Sequence, residues 1–301
     1  MTNRARYIEL SALVAGSLVV WWHPIAANLK LALSSDAHTH ILLILPLSMA
    51  LVYLEGKEAR LTFESRGRLG AILLTAALLL RAVSAWTTGH LSPNDFLSLS
   101  IFALVIWWIG CVILCFGLQT FRSLLFPLCF LFLVVPFPEH ALSWVTEFLQ
   151  HQSTVAASIL FRCARVPVTR EGIMLSIPGL DIEVARECSS IRSSMMLIIT
   201  TMVLAHLFLR SLWKKALLIV IALPLSVAKN ALRIFTIAEL GTRVDPGFLD
   251  GRLHRQGGIV FWSLAVAAVV VLLCVLTRCE FRTPVVVEGG GKGRAWQRGG
   301  K

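Results

Sequence analysis

Charge is scarce in this chain. Only 15% of its 301 residues are Asp, Glu, Lys or Arg, while 56% are hydrophobic. A mean hydropathy of +0.76 excludes an ordinary soluble domain. No C-x-x-C pair occurs among the cysteines at 111, 115, 129, 163, 188, 274 and 279, so neither a zinc site nor a dithiol redox motif is suggested. No G-x-S-x-G is present, which disfavours a rhomboid-like serine protease. There is no internal repeat and no stretch that reads as a separate soluble domain. No small-residue cleavage site follows the first apolar stretch, so that stretch is expected to remain as a helix.

What the chain does have is apolar runs, at 7–29, 41–55, 69–86, 101–118, 124–135, 189–209, 212–238 and 257–277. Most approach the roughly 20 residues that cross a hydrocarbon core, and two are short. The expected fold is an all-α membrane protein of about eight transmembrane helices. Cys111, Cys115, Cys129 and Cys274 fall inside these runs and read as small apolar packing residues.

The formal net charge of +11 follows the membrane rather than a nucleic acid. Arg4 and Arg6 precede the first run; Lys57, Arg60, Arg66 and Arg68 join the second to the third; Arg122 joins the fourth to the fifth. Arg210, Lys214 and Lys215 join the sixth to the seventh, and six more basic residues follow the eighth. The loop at 87–100 has none. The positive-inside rule therefore predicts both termini in the cytoplasm. Residues 1–282 are expected to form one polytopic domain, and 283–301, rich in glycine and charge, a disordered basic cytoplasmic tail.

The segment 136–187 and the loop 239–256 then face outward. Within the first, Leu142, Val145, Phe148, Leu149, Ile159 and Leu160 recur at helical spacing, which predicts an amphipathic helix at the interface. Pro167, Gly172, Pro178 and Gly179 punctuate short apolar stretches over 166–184 and predict a β-hairpin. Together they are expected to form a small cap over the outer mouth.

Three reactive side chains share that face by this topology. Cys188 is expected in the first turn of a helix, where unpaired N–H groups and the helix dipole favour a thiolate; Ser189 or Ser190 is placed to cap that end. Arg233 is placed about five residues before the end of its run, roughly 8 Å deep. It shares a helical face with Asn230 and Ser226, while Lys229 beside it is expected to snorkel to the headgroups. His254 precedes the last run and supplies a group able to exchange a proton near neutral pH. Each has a plainer reading: a buried structural thiol, a snorkelling arginine, an interfacial histidine binding lipid phosphate. Taken together, they suit acyl transfer, in which Cys188 attacks an amide carbonyl, His254 moves protons, and Arg233 with Asn230 stabilises the oxyanion or orients the carbonyl.

The stretches Glu187-Cys188-Ser189-Ser190-Ile191-Arg192-Ser193 and Asn230-Ala231-Leu232-Arg233-Ile234, with His254 ahead of Gly257, resemble the three signature motifs of the exosortase and archaeosortase family. Further similarity covers 132–184, and a weaker echo lies at Asp36 to His40. The resemblance implies a transpeptidase-like cysteine protease of the plasma (inner) membrane, its site facing outward. It implies Cys188, Arg233 and His254 as catalytic residues, with Asn230 and Ser190 in substrate-binding or supporting roles. The implied partners are secreted proteins ending in a sorting signal: a short motif, often Pro-Glu-Pro in bacteria, then a hydrophobic helix and a basic cluster. Water, or an amine or hydroxyl on a lipid or glycan, would accept the acyl group, and the residues leave that choice open. No cofactor, metal or nucleic acid is called for. In one departure, Ser190 stands where family members commonly carry glycine, which bears on subfamily more than on activity.

Two other classes fit parts of the pattern. A transporter or polysaccharide-export component would use Arg233 and Asn230 as an anion site between helices and would not need Cys188. A metal-dependent hydrolase would draw ligands from Asp36, His38, His40 and His90.

Overall fold

A computed structural model describes residues 3–58, 67–87, 89, 91–184, 191–250 and 258–281. The expected tail at 283–301 lies outside them. The expected all-α membrane architecture is observed. In chain order the elements are α1 (Asn3–Val20), α2 (Trp22–Ser34), a 3-10 turn (Asp36–His38), α3 (Ile41–Glu58), α4 (Gly67–Trp86), α5 (Pro93–Ser123), α6 (Leu125–Phe130) and a second 3-10 turn (Leu131–Val134). Then follow α7 (Glu139–Cys163), β1 (Thr169–Glu171), β2 (Met174–Ile177), β3 (Leu180–Glu183), α8 (Ile191–Phe208), α9 (Leu212–Arg243), α10 (Gly247–Asp250) and α11 (Gly258–Phe281).

Among the described residues six helices are long and apolar enough to cross a membrane, and the number reaches eight if two bent pairs each count as one span. The expected first and fifth spans are those bent pairs. Helices α1 and α2 meet at 75°, because Pro24 has no N–H for the carbonyl of Val20 and its ring crowds that carbonyl. Trp21 fills the corner, fully buried, its indole N–H donating to the carbonyl of Ser100 at 2.9 Å. The segment Leu125–Val134 meets α7 at 92°. Val135 is extended ahead of Pro136, as the residue before a proline must be, and Pro138 caps α7.

The bundle buries small polar groups among its apolar core and turns many large apolar side chains outward. Ser17, Asn28, Ser48, Ser84, Ser98, Ser100 and Thr201 are buried, whereas Val19, Met49, Leu79, Trp86 and Val271 face outward. Small and polar groups let helices approach closely, and lipid solvates the large apolar side chains. Cys111 and Cys115 are buried as expected, but Cys129 and Cys274 are exposed on the bundle surface, a correction to their reading as packing residues.

Helix α4 packs closely on α5 at Gly70, where an added Cβ would come within 2.7 Å of the Leu114 backbone. Backbone cannot swing aside as a side-chain tip can. Gly70→Val is therefore expected to cost about 1–3 kcal/mol by overpacking. A lowered thermal unfolding midpoint of the purified protein in detergent, beside an unchanged midpoint for Gly16→Val, whose Cβ meets nothing within 4 Å, checks this.

The hairpin prediction was one strand short. A three-stranded antiparallel sheet forms in the order β1-β2-β3. Gly172 (φ 61°) sits in the first turn and Gly179 (φ 85°), after Pro178, in the second, both in the left-handed region that glycine enters at no steric cost. Leu175, Ile177 and Val184 pack with Ala157 and Phe161 of α7 and Ala231, Ile234 and Ala238 of α9, so the sheet is held by both helices.

Helix α7 is amphipathic, as expected. Its buried residues are Thr146, Gln150, Ser153, Thr154, Ala157, Ser158 and Phe161, while Trp144, Phe148 and Ile159 point away from the protein. Helix periodicity locates a stripe without saying which side the protein occupies. Here small and polar groups take the protein side.

Candidate active site

Contacts between elements sort the helix ends into two groups. At one end, His206 Nε2 of α8 meets Glu55 Oε1 of α3 at 2.5 Å, and Glu280 of α11 accepts the backbone N–H groups of Arg210 and Ser211 at 3.1 and 3.0 Å. At the other, Arg192 in the first turn of α8 pairs with Asp36 at 2.9 Å, and the sheet leads into α8. The candidate site lies at the sheet end.

Helix α9 positions two of the sequence-derived residues. Asn230 is 1% exposed and Arg233 is partly buried, and both belong to the expected polar stripe with Ser226. Ser226 donates to Ser194 of α8 at 2.5 Å, so the stripe faces α8. Arg233 is ten residues before the last residue of α9, Arg243, rather than the five expected, because the helix continues past residue 238. Ten residues rise about 15 Å. The stretch leading into the extension stands beside the sheet, with Ile234 and Ala238 packed against it.

Lys229 does not snorkel. It is 6% exposed and its ammonium donates to the Ser193 hydroxyl in the first turn of α8. A neighbouring helix offering a hydroxyl at the right height outcompetes the climb to the headgroups. Two serines of α8 thus bind α9, within six residues of Cys188 in sequence.

A cavity of about 220 Å³ opens at this end, lined by Leu180, Asp181, Ile182, Glu183 and Val184, by Arg233, Ile234, Ile237 and Ala238, and by Leu249. Strand β3 forms one wall and α9 the other, with α10 closing the rim. Leu249 can lie there because Gly241 opposite has no side chain: a Cβ would meet Leu249 Cδ2 at 2.5 Å. Val184 is anchored twice, its N–H donating to Ile173 at 3.1 Å and its carbonyl accepting from Gln150 Nε2 at 2.6 Å. A guanidinium in a mainly apolar cleft is suited to bind a carbonyl oxygen or an anion.

Cys188, Ser190 and His254 lie outside the described residues, so the structure brings together Arg233 and Asn230 alone of the five residues singled out. Nothing in the sequence pointed to the β3 and Leu249 walls. The alternation of Leu180, Ile182 and Val184 indicated a strand, but not which helix it would face.

Each of Asp36, His38 and His40 has a polar contact within the protein. Asp36 pairs with Arg192, His38 Nδ1 lies 3.1 Å from the Ser35 hydroxyl, and His40 Nδ1 lies 3.2 Å from the Ala37 carbonyl. Both imidazoles are 2% exposed. Among the described residues no three His, Cys, Asp or Glu side chains gather as a metal-binding group; His90 lies outside them.

A family model described as transmembrane exosortase matches residues 21–273. No curated protein and no solved structure matches the chain.

Proposed function

Starting from the fact that the chain belongs to the transmembrane exosortase family, we propose that it is a membrane-embedded cysteine peptidase or transpeptidase. Its substrates are secreted proteins bearing a C-terminal sorting signal, cleaved on the outer face of the plasma membrane. The observation that carries this reading is that Val184, Arg233 and Leu249 line one cavity. Cys188 is four residues beyond Val184 and His254 five beyond Leu249. A chain extends at most about 3.6 Å per residue, so each lies within about 14 and 18 Å of the cavity wall that precedes it. That reach supports a meeting of thiol, guanidinium and imidazole at one cleft.

The Cys188 thiolate adds to the scissile carbonyl carbon, and negative charge moves to the carbonyl oxygen. Arg233, lining the cleft, donates to that oxygen, while the buried Asn230 supports the stripe behind it. As the tetrahedral adduct collapses, the C–N bond breaks, His254 gives its proton to the departing amine, and a thioester remains. His254 then takes a proton from the acceptor as its oxygen or nitrogen attacks the thioester, and the sulfur leaves as thiolate. Ser190 stands two residues from the nucleophile as a further hydrogen-bonding group.

The test is the chemistry of the product. In cells producing this protein and a reporter with a sorting signal, the reporter is expected to lose its hydrophobic helix and basic cluster. Mass spectrometry of the new C-terminus should find either a free carboxylate, from water, or an added mass in amide or ester linkage, from a lipid or glycan. A reporter recovered whole, with its tail attached, would sink the proposal.

A further inference from the structure

We propose that the open edge of β3 is a peptide-binding subsite, where the substrate segment flanking the scissile bond adds to the sheet as an extended fourth strand alongside Arg233. This rests on the peptidase reading above. Strand β3 is the last in the order β1-β2-β3, and among the described residues no strand pairs with its outer side.

The ladder decides which backbone groups are available there. Val184 donates its N–H to Ile173, and the register sets Ile182 opposite Leu175 and Leu180 opposite Ile177. Hydrogen-bonding direction alternates along an antiparallel strand. Leu180, Ile182 and Val184 therefore turn their backbone groups toward β2, and Asp181 and Glu183 turn theirs away from it.

The cavity identifies the edge, rather than a face, as the binding surface. A cleft on one face of a sheet touches every second residue, since side chains alternate. This one is lined by five consecutive residues, 180 to 184, as a cleft open along the strand's edge would be. Its far wall is Arg233 with Ile234, Ile237, Ala238 and Leu249. A strand laid between the walls would exchange main-chain hydrogen bonds with Asp181 and Glu183. It would direct alternate side chains to the apolar residues of α9 and α10 and bring a carbonyl past the guanidinium. The occupant is thus an extended polypeptide whose recognition is largely through its backbone. Strand addition also holds the reacting amide in one orientation, which suits a nucleophile arriving from a chain that continues directly from β3.

Proline separates backbone from side chain in the test. Asp181→Pro removes one outward N–H, leaves the β2 ladder intact, and fits an edge strand; Asp181→Ala removes the same carboxylate but keeps the N–H. Reporter processing by the Pro variant is expected to be about tenfold slower than by the Ala variant, the size of one backbone hydrogen bond. A second readout needs no turnover. In a Cys188→Ala background, Asp181→Cys is combined with single cysteines walked along the reporter beside its cleavage point. Disulfides are expected at alternate reporter positions.

Equal rates for the Pro and Ala variants, or cross-links at successive positions without alternation, overturn strand addition. So does a disulfide joining two copies of the Asp181→Cys chain with none to the reporter, which assigns the edge to self-association. If the unaltered protein leaves the reporter uncut, the peptidase reading fails and this inference falls with it. If it cuts while the edge experiments fail, only strand addition is lost.

Discussion

Cys188→Ala is expected to accumulate full-length, tail-bearing reporter while the protein itself remains in the membrane at its usual abundance. Under the proposed mechanism the sulfur forms the only covalent bond to the substrate, so its loss removes the reaction path rather than slowing a step. Removing the nucleophile from such a set of cooperating groups lowers turnover by on the order of 10⁴ or more. Cys188→Ser sharpens the comparison. It keeps the size and a hydrogen-bonding group, but a hydroxyl is far harder to ionise than a thiol, and it is expected to be as inactive as alanine. Were residue 188 a structural thiol, both variants would process the reporter, and any loss would track a fall in protein level. Reporter length and protein abundance, read from the same membranes by immunoblot, separate the two cases. An anion carrier built around Arg233 would likewise work without Cys188.

Arg233→Lys is expected to lower processing by about 10²–10³, close to the effect of Arg233→Ala. Charge is conserved in this exchange, but geometry is not. The guanidinium is a planar fork with several donors at fixed angles, and it stands on a helix packed against the sheet by Ile234 and Ala238. An ammonium on a flexible stem offers one point charge and is held more strongly by water. If Arg233 stabilises the oxyanion, the loss falls on kcat; if it only gathers an anionic substrate, KM rises while kcat survives. Processing by Arg233→Lys at more than about a third of the unaltered rate would remove Arg233 from the proposed mechanism.

How much of this was legible beforehand differs from residue to residue. Asn230 and Arg233 announced themselves because a polar stripe within an apolar run costs several kcal/mol unless the protein compensates for it. The turns at Gly172 and Gly179 were readable because positive φ and proline leave a local signature. Lys229 was misread: nothing in its own helix reveals that Ser193 of α8 stands beside it. Helix α7 was legible as amphipathic, but a periodic stripe carries no label for protein or lipid, so which residues would pack inward was not. The bends at Trp21 and before α7 had proline markers, yet the angles of 75° and 92° depend on what each second helix packs against.

Composition and hydropathy by themselves settled the membrane class, the approximate number and place of the helices, and the polar residues worth suspecting. These are properties of short windows, governed by transfer free energy and by backbone conformations a residue can or cannot adopt. Only the tertiary structure decided that β3 runs beside α9, that Gly241 makes room for Leu249, and that Val184, Arg233 and Leu249 share one cavity. Those relations join residues as far apart as Val184 and Leu249, about 65 positions along the chain. They are set by the packing of whole elements, which no local window of sequence contains.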